Sequence, residues 1–199
     1  MRRIETSLPG VWLIEPEVFE DQRGFFFESY NEDKFIKLGI RDRFVQDNHA
    51  RSVKDTLRGL HYQLKRPQAK LCRVIQGEVL DVVVDIRRGS PHFGKWAGER
   101  LSAQNRRQMY VPAGFAHGYL VLSETAEFLY KCSDFYHPEY EHGLAWNDAD
   151  IEIAWGIEAP ILSAQGSPRR KAGWRSNRCC ASGEHISRRV GGRRVRPAE

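Results

Sequence analysis

A histidine stands between two cations in the segment LRGLHYQLKRPQAK, which spans residues 57–70. The imidazole of His61 can accept a proton near neutral pH. Arg58 and Lys70 can hold an anion or stabilise negative charge that develops on an oxygen atom. The segment therefore fits a catalytic base beside an anion site, or a half-exposed strand histidine among solvated charges.

Amide side chains are concentrated in residues 44–50, where Gln46, Asn48 and His49 follow one another closely. Amides are neutral, directional donors and acceptors that suit hydroxyl and carbonyl groups. A turn formed by Asp and Asn is the alternative interpretation. Earlier in the chain, Arg23 and Glu28 can form a polar pair at the edge of a site.

A second histidine is surrounded by turn-forming residues. His117 lies in PAGFAHG, residues 112–118, where proline and glycine predict a fixed turn that presents the imidazole. In the strand predicted over residues 126–136, Tyr130 and Tyr136 share one face. Buried tyrosines usually find a hydrogen-bond partner, so this face indicates either a polar site or ordinary packing.

Two carboxylates lie on one face of a strand that is otherwise rich in valine. Asp81, Val83 and Asp85 share this face, and Leu80, Val82, Val84 and Ile86 share the other. The acidic face must meet water or a polar cavity. For a strand considered alone, we expect water.

Short strand patterns, separated by Gly and Pro turns at intervals of about a dozen residues, dominate the chain. One helix is predicted over residues 31–38, with Asn31 as its N-cap and Gly39 after its end. Gln76-Gly77 predicts a hairpin, residues 151–155 a last strand, and the aromatic residues of 25–30 are expected in the core. The pattern favours an all-β antiparallel sandwich or barrel with one or more short helices.

The net charge of +5 is unevenly distributed over the 199 residues. Residues 167–199 hold ten Lys and Arg against two acids, whereas the first 166 residues hold 21 Lys and Arg against 24 acids. A nucleic-acid-binding domain would need a basic, aromatic surface on folded structure. We therefore predict one domain over residues 1–163 and a disordered basic tail over residues 164–199, with only nonspecific attraction to polyanions.

Composition disfavours several other classes of protein. The four cysteines give no zinc pattern, and Cys72 and Cys132 are expected to pack in the core. No apolar run reaches membrane-spanning length, and the N-terminus lacks the apolar segment of a signal peptide. A cytoplasmic protein is the expectation. The chain has neither a P-loop nor a Rossmann glycine pattern.

Four long segments carry a resemblance to a known family: LRGLHYQ, QAKLCRVIQGEVLDVVVDIRRGSPHFGKW, VPAGFAHGYLVLS and FLYKCSDFYHPEYEHGLAWND. In this order, within residues 3–163, they resemble the dTDP-4-dehydrorhamnose 3,5-epimerases, which are cupin-type jelly-roll enzymes. The resemblance implies a jelly-roll fold and the substrate dTDP-4-keto-6-deoxyglucose, whose C4 ketone acidifies the protons at C3 and C5. It favours the catalytic interpretation of His61 and implies no metal or other cofactor.

The resemblance also implies a role for each candidate residue. His61 would be the base, Tyr130 the acid, and Lys70 the cation that stabilises the enolate oxygen. The implied substrate contacts are Arg23, Glu28, Gln46, Asn48, Arg58, His117, Tyr136 and Glu141, with Arg58 suited to the diphosphate and Tyr136 to the thymine. A homodimer that exchanges N-terminal strands is implied as well, so that Arg23 and Glu28 would reach the neighbouring subunit's site.

The chain departs from the family pattern after residues 160–163. Family members usually continue with a Lys-Asp pair whose aspartate orients the catalytic histidine, and here Gln165 and Gly166 stand in its place. We expect reduced activity from this loss, with Asp85 as the candidate substitute. The alternatives are a relative that epimerises only C3 or only C5, an impaired dTDP-sugar-binding protein, and a nucleic-acid-binding protein that acts through its tail.

Overall fold

A computed structural model describes residues 1–163 of the chain. The predictions for the tail, and for Gln165 and Gly166 within it, lie outside the described residues. The strands are β1 (Arg2–Glu5), β2 (Trp12–Glu15), β3 (Phe19–Asp21), β4 (Gly24–Phe26), β5 (Gln46–Val53), β6 (Leu57–Gln63), β7 (Lys70–Gln76), β8 (Glu78–Asp85), β9 (Trp96–Ser102), β10 (Gln108–Val111), β11 (Phe115–Val121), β12 (Thr125–Cys132) and β13 (Glu141–Gly143). One α-helix, α1 (Glu32–Lys37), and a short 3-10 helix, Pro138–Tyr140, accompany them.

Two antiparallel sheets form the body. The larger has six strands in the order β1-β2-β10-β7-β12-β5, and the smaller has five in the order β13-β6-β11-β8-β9. The hairpin of β3 and β4 forms a separate two-stranded sheet. This arrangement confirms the predicted all-β antiparallel fold.

The main core lies between the two large sheets. Cys72, Val74 and Phe128 of the six-stranded sheet pack in one cluster with Val79, Val83 and Tyr119 of the five-stranded sheet, and all are buried. Apolar side chains on the inward face of each strand produce this layer because successive residues of a strand alternate between its faces.

The outer face of each sheet is also covered by other parts of the chain. On the five-stranded sheet, Val82 and Val84 pack with Ile151 and Trp155 from the segment that follows β13. On the six-stranded sheet, Leu71 and other residues pack against Phe35 of α1 and the loop after it. Strand β11 is therefore buried along its whole length.

The predicted helix is confirmed, together with its cap. The side chain of Asn31 accepts a hydrogen bond from the Lys34 backbone N–H. Glu32 and Asp33 lie in the first turn, where their negative charges interact favourably with the helix dipole. Gly39 follows with a φ of +99°, a left-handed conformation that suits glycine. Within residues 1–163, no helix is long and apolar enough to cross a membrane.

Six local predictions were wrong. His117 lies within strand β11 and not in the turn before it, and the strand predicted over residues 126–136 ends at Cys132. The turn at Gly77 is not a hairpin, because β7 and β8 lie in different sheets and the turn carries the chain from one to the other. Asp81 and Asp85 do not meet water, since both are fully buried. Residues 151–155 form no strand. Phe25 and Phe26 are not in the core of this chain, being 58% and 68% exposed on the separate hairpin.

Candidate active site

A cavity of about 350 Å³ opens at one end of the sandwich, with walls from both sheets. Most of the candidate residues line it: Gln46, Asn48, His61, Lys70, His117, Tyr130, Tyr136 and Glu141. The structure thus brings together side chains that are as far apart as residues 46 and 141 in sequence. We call this the first cavity.

The two histidines enter the first cavity from the five-stranded sheet. His61 on β6 and His117 on β11 are direct partners across the two strands. Residues that face each other in an antiparallel pair project to the same side of the sheet. The register therefore places both imidazoles on one wall.

The opposite wall belongs to the six-stranded sheet. On the three adjacent strands β5, β12 and β7, Asn48 pairs with Tyr130, and Tyr130 pairs with Cys72. Two residues further along each strand, Gln46 pairs with Cys132, and Cys132 pairs with Lys70. Two rows of side chains are thus set by register, and they present amides, a phenol and an ammonium to the histidines.

A second cavity of about 250 Å³ adjoins the first and shares His61, Lys70, His117 and Tyr130 with it. It adds Arg58, whose Nε donates a hydrogen bond of 3.0 Å to the hydroxyl of Ser52. Leu162 and Ser163, the last described residues, line its other side. The four shared residues therefore stand where a ligand could reach both cavities.

Two glycines let the histidine-bearing strands approach each other closely. A Cβ on Gly59 would lie 2.5 Å from the Cα of Gly118, and a Cβ on Gly118 would lie 2.6 Å from the carbonyl oxygen of Arg58. Neither distance is possible for a real side chain. Gly59 also has a φ of +110°, which other residues rarely adopt. The glycine in LRGLH thus allows the two backbones to pack closely beside His61.

The environment of His61 keeps its imidazole in the basic form. Desolvation by the surrounding protein lowers the pKa of His61, and the charges of Lys70, His117 and Arg58 lower it further. Glu141 opposes this shift, with its Oε1 4.0 Å from the His61 Nδ1. A pKa below the ordinary histidine value leaves the ring unprotonated, and able to accept a proton, at neutral pH.

The pKa of Tyr130 is shifted in the opposite direction, so its phenol keeps its proton. Burial raises the pKa of Tyr130, and the nearby thiols of Cys132 and Cys72 contribute to the rise. The phenol is therefore a proton donor at neutral pH. Across the first cavity, a base and an acid stand on opposing sheets.

His117 is held by a carboxylate from β8, the adjacent strand of the same sheet. Its Nε2 lies 2.6 Å from Asp81 Oδ1, and both side chains are buried. The other oxygen, Asp81 Oδ2, has no hydrogen-bond partner within residues 1–163. The hydrogen bond fixes the orientation of the imidazole ring, because its Nε2 edge is turned towards Asp81.

Cys72 completes the one cluster of potential metal ligands found among residues 1–163. Its Sγ, an Asp81 oxygen and a His117 nitrogen lie within 4.8 Å of one another. The His117–Asp81 contact, at 2.6 Å, is a short hydrogen bond. Burial raises the pKa of the Cys72 thiol well above its usual value. The His117–Asp81 hydrogen bond and a contact of 3.7 Å between Cys72 Sγ and His117 Nε2 connect the three side chains.

Asp85 is placed apart from His61. Its carboxylate accepts hydrogen bonds from Arg87 Nε at 2.9 Å, from Arg87 Nη2 at 2.6 Å and from the Ser90 hydroxyl at 2.6 Å. Burial would raise the pKa of Asp85, but these bonds outweigh it and lower the pKa. Asp85 lines neither cavity, so it does not substitute for a carboxylate that orients His61.

Arg23 and Glu28 also lie outside both cavities of their own chain. Arg23 is at the tip of the β3–β4 hairpin, where it pairs with Asp21. Glu28 accepts hydrogen bonds from Asn31 and Lys34 at the start of α1. A single chain therefore brings together His61, Tyr130 and the cations, but not these two residues.

Tyr136 and Glu141 form the outer rim of the first cavity. The Tyr136 hydroxyl donates a hydrogen bond of 2.7 Å to Glu141 Oε2, which raises the pKa of Tyr136. The Tyr136 backbone N–H donates to Gln46 Oε1 at 3.0 Å. An exposed aromatic ring held among amide and carboxylate groups is suited to stacking on a nucleobase.

Sequence reasoning missed two contributors, Asp81 and Gln63. Asp81 was assigned to water, although its position inside an otherwise apolar run indicated burial with a polar partner. Gln63, buried at the end of β6, was not among the candidate residues. Its alternation with His61 along the strand was the available signal, since residues two apart share a face.

Comparison with known proteins identifies the family to which the sequence is similar. The sequence pattern of the family described as dTDP-4-dehydrorhamnose 3,5-epimerase matches residues 5–170. The Pseudomonas aeruginosa enzyme of that name is 58% identical over 165 residues, which is 82% of this chain and 91% of that protein.

Two solved structures are similar to the chain as well. The Legionella pneumophila 3,5-epimerase in complex with dTDP-4-keto-L-rhamnose has 50% identity and a TM-score of 0.79, covering 82% of this chain and 88% of that one. A 3'-monoepimerase from Streptomyces bikiniensis in complex with dTDP-quinovose has 35% identity and a TM-score of 0.76, covering 84% and 86%. This chain belongs to the dTDP-4-dehydrorhamnose 3,5-epimerase family.

Proposed function

We propose that the chain epimerises C3 and C5 of dTDP-4-keto-6-deoxyglucose and so forms dTDP-4-keto-L-rhamnose. The observation that carries the proposal is the position of His61 and Tyr130 on opposing sheets of one cavity. Inversion at carbon requires that a proton leaves one face of the sugar and that another arrives on the opposite face. A single base would return the proton to the face it came from.

The chemistry needs only proton transfers next to the C4 ketone. His61 removes the proton from the carbon beside the carbonyl, and the electron pair moves into an enolate. The Lys70 ammonium stabilises the enolate oxygen, which is more effective in a desolvated site than in water. Tyr130 then donates its proton to the opposite face of the carbon. His61 releases the proton that it took up to water, and the Tyr130 phenolate takes a proton from water, so that the same two groups can act at the second carbon.

The other lining residues are suited to the remainder of the substrate. Arg58, with its planar guanidinium, fits the diphosphate, and His117 lines the same second cavity. Gln46, Asn48 and Glu141 offer amide and carboxylate groups to the sugar and base hydroxyls and carbonyls. Tyr136 stacks on the thymine in this proposal. The predicted cytoplasmic location stays a prediction.

A homodimer that exchanges N-terminal strands would supply the two missing contacts. Phe19, Phe25 and Phe26 are exposed on the β3–β4 hairpin, which pairs with no strand of either large sheet. Exposed apolar surface of this kind marks an interaction site. Arg23 at the hairpin tip, and Glu28 after it, would then complete the site of the neighbouring subunit.

A single-site epimerase is the second candidate, favoured by the likeness to the Streptomyces 3'-monoepimerase. Proton NMR of dTDP-4-keto-6-deoxyglucose with the protein in D2O separates the possibilities. Deuterium at both C3 and C5, with formation of the L-sugar, is the result expected from the proposed function. Deuterium at one carbon would identify the single-site enzyme. Intact substrate with measurable dTDP binding would identify an impaired binding protein.

A further inference from the structure

Gln63 links the two loops that border the outer end of the first cavity. The first lip, residues 64–68, follows β6 and carries Pro67 and Gln68 in the cavity wall. The second lip, residues 133–137, follows β12 and carries Tyr136. The Gln63 side chain lies between them and is only 6% exposed.

The Gln63 side chain forms its hydrogen bonds with backbone groups. Its Nε2 donates to the Arg66 carbonyl at 2.9 Å and to the Phe135 carbonyl at 3.3 Å. Its Oε1 accepts from the His137 backbone N–H at 2.6 Å. Phe135 and His137 are the two neighbours of Tyr136, so the amide grips the backbone on both sides of that residue.

The strand that carries Gln63 also carries the base. Gln63 lies two residues after His61 on β6, so the two share a face and are about 6.6 Å apart along the strand. It is also the direct strand partner of Glu141, which accepts the hydrogen bond from the Tyr136 hydroxyl. One rigid strand therefore sets the distance between the proton-transfer centre and the aromatic ring at the rim.

We propose that Gln63 is a positioning residue that holds the second lip, and with it Tyr136, at the width and distance that a pyrimidine nucleoside requires. This inference rests on the proposed function, because it assigns the rim to the nucleoside end of the substrate. Gln63 acts through Tyr136 and does not take part in proton transfer. A flat aromatic ring can stack only where its backbone is fixed, and a buried amide with three backbone contacts fixes it on both sides.

The test compares Gln63→Met with the wild type, because methionine keeps the length of the side chain but has no amide. Gln76→Met is the matched control, since Gln76 is exposed at the far end of β7 and makes one long contact, 3.4 Å, to Thr125 Oγ1. Titration calorimetry measures the binding of dTDP and of inorganic pyrophosphate, which lacks the nucleoside. Steady-state kinetics with the dTDP-keto sugar gives KM and kcat separately.

We expect Gln63→Met to bind dTDP about tenfold more weakly, as the loss of hydrogen bonds of ordinary strength predicts. Pyrophosphate binding should be unchanged, and KM should rise by about the same factor with kcat preserved. Gln63→Glu has a side chain of equal size but lacks the N–H donor. It should also weaken the binding of dTDP and leave that of pyrophosphate unchanged, and it replaces the methionine variant in the test if that variant does not fold. Gln76→Met should behave as the wild type.

Two results would overturn the inference. A folded Gln63 variant with wild-type affinity for dTDP would show that the amide does not position the rim. Equal weakening of dTDP and pyrophosphate, or a fall in kcat alone, would show that Gln63 supports the whole site and not its nucleoside end. A wild-type protein that binds neither ligand would instead refute the proposed function, and this inference with it.

Discussion

The ammonium of Lys70 lies 5.6 Å from the centre of the Tyr130 ring, on the strand adjacent to it. The same ammonium is one of the charges that lower the pKa of His61 on the opposing sheet. One cation thus lies beside the ring of the proposed acid and lowers the pKa of the proposed base. Lys70 is therefore central to the proposed site, although the proposal assigns it no proton transfer.

Replacing Lys70 by methionine should change both the rate and its pH dependence. Loss of the enolate-stabilising charge should reduce kcat by about 10²–10³-fold. Because Lys70 lowers the pKa of His61, its removal should raise that pKa. The base is lost when it is protonated, so the acidic limb of kcat/KM should move to higher pH, towards the ordinary histidine value of about 6.5.

Lys131→Met is the control for this experiment, because the Lys131 ammonium pairs with Asp47 and lines neither catalytic cavity. Its pH profile should match that of the wild type. An unchanged acidic limb in Lys70→Met would contradict the assignment of that limb to His61.

Asp81→Asn should destabilise the protein, because it removes a buried charge that holds His117. We expect the free energy of unfolding to fall by about 1–3 kcal/mol, measured by urea denaturation. Glu139→Gln alters a solvent-exposed pair of the same type, between His137 and Glu139, and should have little effect since exposed pairs contribute little. Equal effects of the two substitutions would indicate that the buried pair has no special role.

Gly118→Ala should force the histidine-bearing strands apart. Its Cβ would lie 2.6 Å from the Arg58 carbonyl oxygen, and overpacking of this kind costs about 1–3 kcal/mol. The displaced strand carries Arg58 and His61, so activity should fall as well. Gly89→Ala is the control, because nothing lies within 4 Å of a Cβ there. Wild-type stability and activity of Gly118→Ala would show that the close approach is not needed.

Mixing two inactive variants should restore activity if the N-terminal strands are exchanged. After joint unfolding and refolding, half of the dimers formed by Arg23→Ala and His61→Ala chains contain both variants. Each mixed dimer would have one site with His61 from one chain and Arg23 from the other. About a quarter of the wild-type activity is expected. A mixture as inactive as its components would argue that Arg23 acts in its own chain or is not needed.

The sequence predicted the strands well where alternation is strong, and poorly where a residue's partner is distant. The helix at residues 32–37 was predictable because its cap and end are local signals. The crossing between sheets at Gly77 was not, since a tight turn after a strand has the same local chemistry whether or not the two strands pair.

In the site too, features with a local sequence signal were predicted, and contacts between distant residues were not. The long segments around His61, His117 and Tyr130 were sufficient to predict which residues gather at one cavity. The partner of His117 was not predicted, because Asp81 lies 36 residues away and contacts it through strand register. The exposed hairpin aromatics were expected in the core because local sequence does not distinguish surface that packs within the chain from surface that packs against another.

The most direct test of the central claim is proton NMR in D2O of the keto sugar with Tyr130→Phe, beside the wild type, His61→Ala and the control Tyr140→Phe, whose tyrosine lines neither cavity. If His61 removes the proton and Tyr130 replaces it from the opposing sheet, Tyr130→Phe should incorporate deuterium largely with retained configuration. Formation of the L-sugar should drop by about 10²–10⁴-fold. His61→Ala should incorporate none. Inversion at the wild-type rate by Tyr130→Phe, or normal deuterium exchange by His61→Ala, would contradict the account.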